Sequence, residues 1–292
     1  MAPRNLDIGR TIAAAPETSQ LELFDSDKVS STSGVRVFDV GQGDCIGLLD
    51  QDRQVFCYVD YGGLMDHPDA ANPAATRERM PVENDGELVP IVLTHWDKDH
   101  YWSANKKNPQ AQQCEWLVPR QMVSPQALLF ARGLKDAKCW PETRGSRPAR
   151  FGVGESWDVE IRKCAAFSKK KVNEDRNKTG LAVTFLRWYE DSVETFMLLP
   201  GDCPFHLIPG LPEAQLCGLV AYHHGARKGW TSATRRAIGN LHEQREMVYS
   251  YGENEYGHPD RRNYRPDWDS TATTTCAARD AQRKSVDIHW KD

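Results

Sequence analysis

Residues 93–101 read LTHWDKDHY and continue an apolar run, Val89-Pro90-Ile91-Val92-Leu93, with the composition of a buried strand. Two histidines and two aspartates fall within six residues, in the order His95-x-Asp97-x-Asp99-His100. Asp-rich turns are ordinary on protein surfaces, but flanking imidazoles turn this one into a supply of metal ligands. In an extended backbone, side chains 95 and 97 share a face, while 99 and 100 turn toward a second point. That geometry serves two neighbouring cations better than one.

Working outward, the same device recurs: an apolar, strand-like segment that ends in acid or imidazole. It appears at VFDVGQGDC (Asp39, Asp44), LLPGDC (Asp202), VAYHHG (His223, His224) and, after the strand at 247–251, YGHP (His258). Five of the nine histidines therefore sit at strand ends. Asp202, arriving from a separate strand, can bridge two cations held by the first turn. The GQGD turn has two readings, a tight turn that needs glycine and a source of backbone N–H groups and a carboxylate near the metals. Trp96 reads as core packing or as a stacking surface for a base.

The rest of the chain supports a strand-rich α/β layout. VRVFDV opens it, and CIGLLDQDRQVFCYVDYGG reads as two strands joined by a tight DQDR turn. A helix begins near 101–107, CEWLVP is a short strand, and SPQALLFARGLKD carries a serine cap with proline at the first helical position. ESWDVEIRKC is a strand, while GLAVTFLRWY and ETFMLLPGD read as a hairpin. QLCGLVAYHHG is a further strand, SATRRAIGNLHE a helix, EMVYSYGENEYGHPD a strand into a turn, and SVDIHW the last strand. DSTATTTCAARD fits a helix or a loop. Strand, ligand-rich turn, then helix, repeated, collects a site at the carboxyl ends of strands.

Bulk properties set the limits. With 292 residues, 39% apolar content and nine tryptophans, the chain can bury a real core. No linker divides it, so we expect one domain over 31–292 after a poorly ordered leader, 1–30. Mean hydropathy is −0.64, no eighteen-residue apolar run exists, and Ile12 to Ala15 is too short for a signal core. Eight dispersed cysteines without a Cys-x-x-Cys read as reduced thiols. A cytoplasmic address and no membrane partner are the expectation.

Net charge is −4, yet residues 131–180 hold thirteen basic against seven acidic side chains. Arg144, Arg147, Arg150 and Lys169 to Lys171 form a solvated loop or a phosphate-backbone track. Arg227, Lys228, Arg235, Arg261, Arg262 and Arg265 follow the later histidine motifs and would favour a polyanion if they face the site.

In order, FDVGQGDC, YVDYGG, THWDKDH, LLPGDC, HHG and SYGENEYGHP span residues 38–259. This set resembles the metallo-β-lactamase-fold hydrolases, and among them the branch related to the soluble domain of the DNA-uptake protein ComEC. The resemblance implies a four-layer αββα sandwich with a metal site at one edge. It implies that His95 and Asp97 hold one metal, Asp99 and His100 the other, and that Asp202 bridges, with His223 as the remaining ligand or else His224 or His258. A histidine that is not a ligand would contact a phosphate or protonate the leaving group, and Asp60 would orient a ligand from behind. Most of that superfamily has His-x-His-x-Asp-His, where this chain has Asp97, and the third histidine is absent at NKTGLA, 177–182. An added carboxylate hardens the site toward manganese or magnesium as well as zinc.

The expected activity is a dinuclear metal hydrolase of phosphodiester bonds, most simply a nuclease on DNA or RNA, with Asp99, His224 and His258 as catalytic candidates. A phosphoesterase of small molecules, such as a phosphocholine ester or nucleotide signal, is one rival. A scaffold subunit with a weak site is another.

Overall fold

Alternation along the strands decides the middle of the molecule: Val35 and Val37, Ile46 and Leu48, Val159 and Ile161, Val183 and Phe185 all enter one shared apolar core. A computed structural model describes residues 6–14, 22–23, 29–63, 80–140, 147–164, 176–189, 192–211, 216–227, 231–237, 241–252, 257–260, 262, 264, 272–275 and 285–290.

In chain order the main strands are β1 (Thr32–Phe38), β2 (Cys45–Asp50), β3 (Val55–Tyr61), β4 (Ile91–Val92), β5 (Glu115–Val118) and β6 (Asp136–Cys139). They are followed by β7 (Ala149–Val153), β8 (Trp157–Lys163), β9 (Leu181–Tyr189), β10 (Ser192–Leu199), β11 (Leu216–Val220), β12 (Leu241–Tyr249), β13 (Ala272–Thr274) and β14 (Ser285–His289). Two seven-stranded sheets result, ordered β6-β5-β4-β3-β2-β1-β14 and β7-β8-β9-β10-β11-β12-β13. Each is antiparallel at one end and parallel at the other, with β3 to β6 and β10 to β13 running parallel.

The sheets face each other across the shared core. Outside the first lie α1 (Trp102–Lys106) and α2 (Pro125–Gly133), whose Ala104, Ala127 and Phe130 pack with Ile91 and Trp116. Ser124 caps α2 by accepting from the Ala127 N–H, with Pro125 at the first turn. Outside the second sheet, Phe205, Tyr222 and Tyr264 form a third cluster, and α3 (Ser232–Ala237) lies against the one-turn helix Phe205–Leu207. This is the four-layer αββα sandwich expected.

Three local readings are corrected. The helix expected through residue 243 stops at Ala237, and Leu241 already belongs to β12. The threonine-rich stretch contributes the edge strand β13, where Thr273 Oγ1 donates to the Met247 carbonyl. Part of the expected leader is built in: Leu6–Asp7 pairs with Met122–Val123, Ile8 is fully buried, and Asp7 accepts from Arg120. Arg144, Lys169 to Lys171, Lys228, Arg261 and Arg265 lie outside the described residues. The seven described cysteines are buried thiols.

Candidate metal centre

Side chains from both sheets meet where β3, β4, β10, β11 and β12 end. Glycine makes the approach feasible: a Cβ on Gly62 would lie 1.8 Å from the Asp99 carbonyl oxygen, and one on Gly43 2.3 Å from it. GQGD and YGG therefore hold the LTHWDKDHY turn by backbone contact, with Gly63 N–H donating to that same carbonyl at 3.0 Å.

Asp60, fully buried at the end of β3 with φ of 60°, fixes the imidazoles. Its Oδ1 accepts from the Thr94 N–H, and its Oδ2 accepts from both the Thr94 hydroxyl and His100 Nδ1, each at 2.7 Å. The Thr94 oxygen, its own proton given to Asp60, lies 3.1 Å from His95 Nδ1 and accepts from it. One carboxylate thus orients both histidines, and each turns its Nε2 inward.

The inward atoms form two groups that share Asp202: Asp44, His100, Asp202 and His224, and His95, Asp97 and Asp202, with the ligand atoms of each group within 4.8 Å of one another. His95 Nε2 lies 3.4 Å from Asp202 Oδ2, and His100 Nε2 lies 3.4 Å from Asp202 Oδ1. Asp44 Oδ1, His95 Nε2, His100 Nε2 and Asp202 Oδ1 are buried and make no hydrogen bond. Four orphaned ligand atoms facing one space fit a divalent cation site, since buried polar atoms are otherwise paired.

Electrostatics point the same way. Burial pushes His95 down, as does His100, but Asp202 and Asp97 outweigh both and carry it to about 9. His100 and His224 are also held well above the imidazole range, against burial, by Asp60 and Asp202 in one case and by Asp44 and Asp99 in the other. Burial raises Asp202, yet His223, His100 and His95 hold it well below the usual carboxylate range. The cluster calls for positive charge.

His224, not His223, joins the deeper group. Consecutive left-handed backbone at His223 (φ 47°) and His224 (φ 54°) turns His224 inward, where its Nδ1 donates to the Ser250 carbonyl at 2.8 Å and its Nε2 lies 3.2 Å from Asp99 Oδ2. His223 stays 28% exposed, 3.6 Å from Asp202 Oδ2. His258 stands with ring centroids 5.4 Å from His223 and 6.4 Å from His224. Trp96 is core, its Nε1 donating to the Pro119 carbonyl.

Two site residues escaped the sequence reading. Asn177 opens the NKTGLA stretch and donates from Nδ2 to Asp202 Oδ2 at 3.1 Å, while also lying 3.4 Å from His223 Nδ1. Arg176 donates from Nε to Asp97 Oδ1 at 2.6 Å. The departure from the family pattern at NKTGLA was the available signal. Asp97, Asp202 and His224 open into a cleft of about 920 Å³ whose lining also includes Gln42, Lys98, Asp99, Arg176, His223, Arg227 and His258. Of the basic cluster expected to face the site, Arg227 lines the cleft, and both it, at 4.0 Å, and Arg262, at 2.7 Å, pair with Asp260.

No protein-family model and no curated protein matches the chain. Among solved structures it is similar to isothiocyanate hydrolase from Delia radicum gut bacteria, 11% identical over 87% of this chain and 100% of that one, with a TM-score of 0.44. It is also similar to CmlA, a diiron β-hydroxylase from Streptomyces venezuelae, 11% identical over 89% of this chain and 54% of that one, TM-score 0.40. An archaeal metallo-β-lactamase superfamily protein from Sulfolobus tokodaii is 15% identical over 58% of this chain and 63% of its own, TM-score 0.30. Likeness at this level says nothing of substrate or chemistry.

Proposed function

We propose that this chain is a metal-dependent hydrolase of phosphodiester bonds, of the metallo-β-lactamase type and its ComEC-like branch, with nucleic acid as its substrate. The observation that carries the reading is the pair of ligand groups sharing Asp202 at the floor of a cleft that also holds Lys98, Arg176 and Arg227. Asp44, His100, Asp202 and His224 would hold one cation, and His95, Asp97 and Asp202 the other, with zinc, manganese or magnesium suiting so oxygen-rich a set. Bound there, such ions lower the pKa of a water and neutralise phosphoryl charge.

The remaining steps belong to the chain. Asp99, its side chain 19% exposed beside His224, would orient the attacking water by accepting its hydrogen bond. His258 is pushed down to about 4 by burial and by His223 and His224, so it is neutral at pH 7 and suits N–H donation to a phosphate oxygen better than proton transfer. Lys98 and Arg227 would steer and grip the polyanion.

A small phosphoester is the second reading, favoured by the cleft's volume, which lies in the range of small-ligand pockets. Metal content and cleavage should be measured on one purified sample with labelled single- and double-stranded DNA and RNA. Expected are bound metal and cleavage that falls steeply with salt and vanishes in Asp202→Asn. Bound metal with every nucleic acid left intact would sink the nuclease reading, and shallow salt dependence on a small ester would establish its rival. A scaffold role would show as unchanged function in Asp202→Asn.

A further inference from the structure

The two ligand groups differ in how far the chain itself already satisfies them. In the deeper group, Asp44 Oδ1, His100 Nε2 and Asp202 Oδ1 are buried without a hydrogen bond. In the outer group, both carboxylates are engaged. Asp97 Oδ1 accepts from Arg176 Nε at 2.6 Å and Nη2 at 2.5 Å, and Asp202 Oδ2 accepts from Asn177 Nδ2 at 3.1 Å. Besides the Asp202 Oδ1 that it shares with the deeper group, the outer group has His95 Nε2 buried without a hydrogen bond.

Burial separates the groups as well. All four residues of the deeper one are buried, whereas Asp97 and Arg176 are 29% and 28% exposed in their side chains. A guanidinium against a carboxylate is a strong, directional, permanently charged partner; held on Oδ1 while Asp97 Oδ2 faces His95 Nε2 at 3.5 Å, it leaves the inward oxygen open but repels a second positive charge beside it.

Resting on the metal reading above, we infer that the two cation positions fill unequally, because the fixed charge of Arg176 on Asp97 weakens the outer one. The deeper position has His224 Nε2 against Asp99 Oδ2 at 3.2 Å, and among the described residues its carboxylates Asp44 and Asp202 have only histidines as ion-pair partners. The outer position takes one against the neighbouring charge of Arg176 and by sharing Asp202 Oδ2 with Asn177.

Isothermal titration of Mn²⁺ into the metal-free full chain tests this, with wild type, Arg176→Gln, Arg176→Lys and Asn177→Ala compared. Wild type should show one tight event and a second at least about tenfold weaker. Arg176→Gln should tighten the second event about tenfold and leave the first within about twofold, which also shows that the variant is folded. Arg176→Lys, keeping the charge but not the fork, should fall between them, and Asn177→Ala should give a smaller gain than Arg176→Gln. Two equal events in wild type, or a second event unmoved by Arg176→Gln, would overturn the inference. Absence of any Mn²⁺ binding in all four proteins would overturn the metal reading beneath it.

Discussion

Asp60 shows how much one side chain can decide. It is fully buried, yet it sets the tautomer of His100 directly and that of His95 through the Thr94 hydroxyl. In Asp60→Asn the amide presents an N–H toward one of these donors, so the network can no longer accept all three. Metal affinity is expected to fall about 10- to 100-fold, read by competition with a chelator, and an unchanged affinity would dismiss the orienting role. Thr94→Val should weaken the outer position more than the deeper one. Gly62 is as exacting for a different reason: Gly62→Ala drives a methyl into the Asp99 carbonyl, and a loss on the order of 3 kcal/mol or more is expected in urea unfolding. Much of this was legible in sequence, because Asp60, His95, Asp97, His100 and Asp202 occupy motif words. The choice between His223 and His224 was not, since it depends on two successive left-handed residues that the letters HHG do not reveal. Arg176 was hidden too, because a half-exposed arginine in a polar loop looks like any solvated charge.

At the scale of elements, strands with strong alternation and capped helices could be read, and weakly patterned edges could not. α2 follows from its serine cap and proline. β13 is three residues long, and its side-chain hydroxyl bond to Met247 comes from tertiary neighbours. Propensity favoured helix for residues 238–243, but pairing of Leu241 with Leu216 in the parallel ladder prevails at their end. β14 depends on charge as well as pairing: Asp287 accepts from Arg36 at 2.7 and 2.8 Å and lies within reach of Arg53. Burial raises the Asp287 carboxyl, but Arg36 and Arg53 hold it below the carboxylate range. A depressed folded-state value contributes stability above the ordinary pKa of about 4, lost as pH falls through the lower one. Asp287→Asn should therefore destabilise the chain by about 1 to 3 kcal/mol at pH 7, with the difference from wild type shrinking below pH 4 in urea unfolding. A difference that stays constant with pH would mean the pair contributes nothing through charge.

At the largest scale, the molecule is two sheets whose acid- and imidazole-bearing ends converge, so an ion held by Asp44 and His100 from one sheet and Asp202 and His224 from the other would tie them together. Metal removal should then lower thermal stability. At free metal near 100 times Kd the linkage contributes about 2.7 kcal/mol, or roughly 5–10 °C in Tm for a chain of this size. Melting with and without chelator measures it, and equal midpoints would exclude an ion shared between the sheets. The αββα layering was legible because strand patterns and motif order agreed. The integration of Leu6 to Ile8 was not, because two paired residues leave no periodic trace.

The pairing of β14 with β1 has a consequence for the order of synthesis. The first sheet begins at Thr32 and is completed by Ser285–His289, which pair antiparallel with residues 34–38. A ribosome adding about 5–20 residues per second takes tens of seconds to make what lies between them. Throughout that interval β1 offers an unpaired, valine-rich margin to any neighbouring nascent chain. Ribosomes closely spaced on one message would bring such margins side by side, so yield of soluble protein should depend on how densely the message is translated.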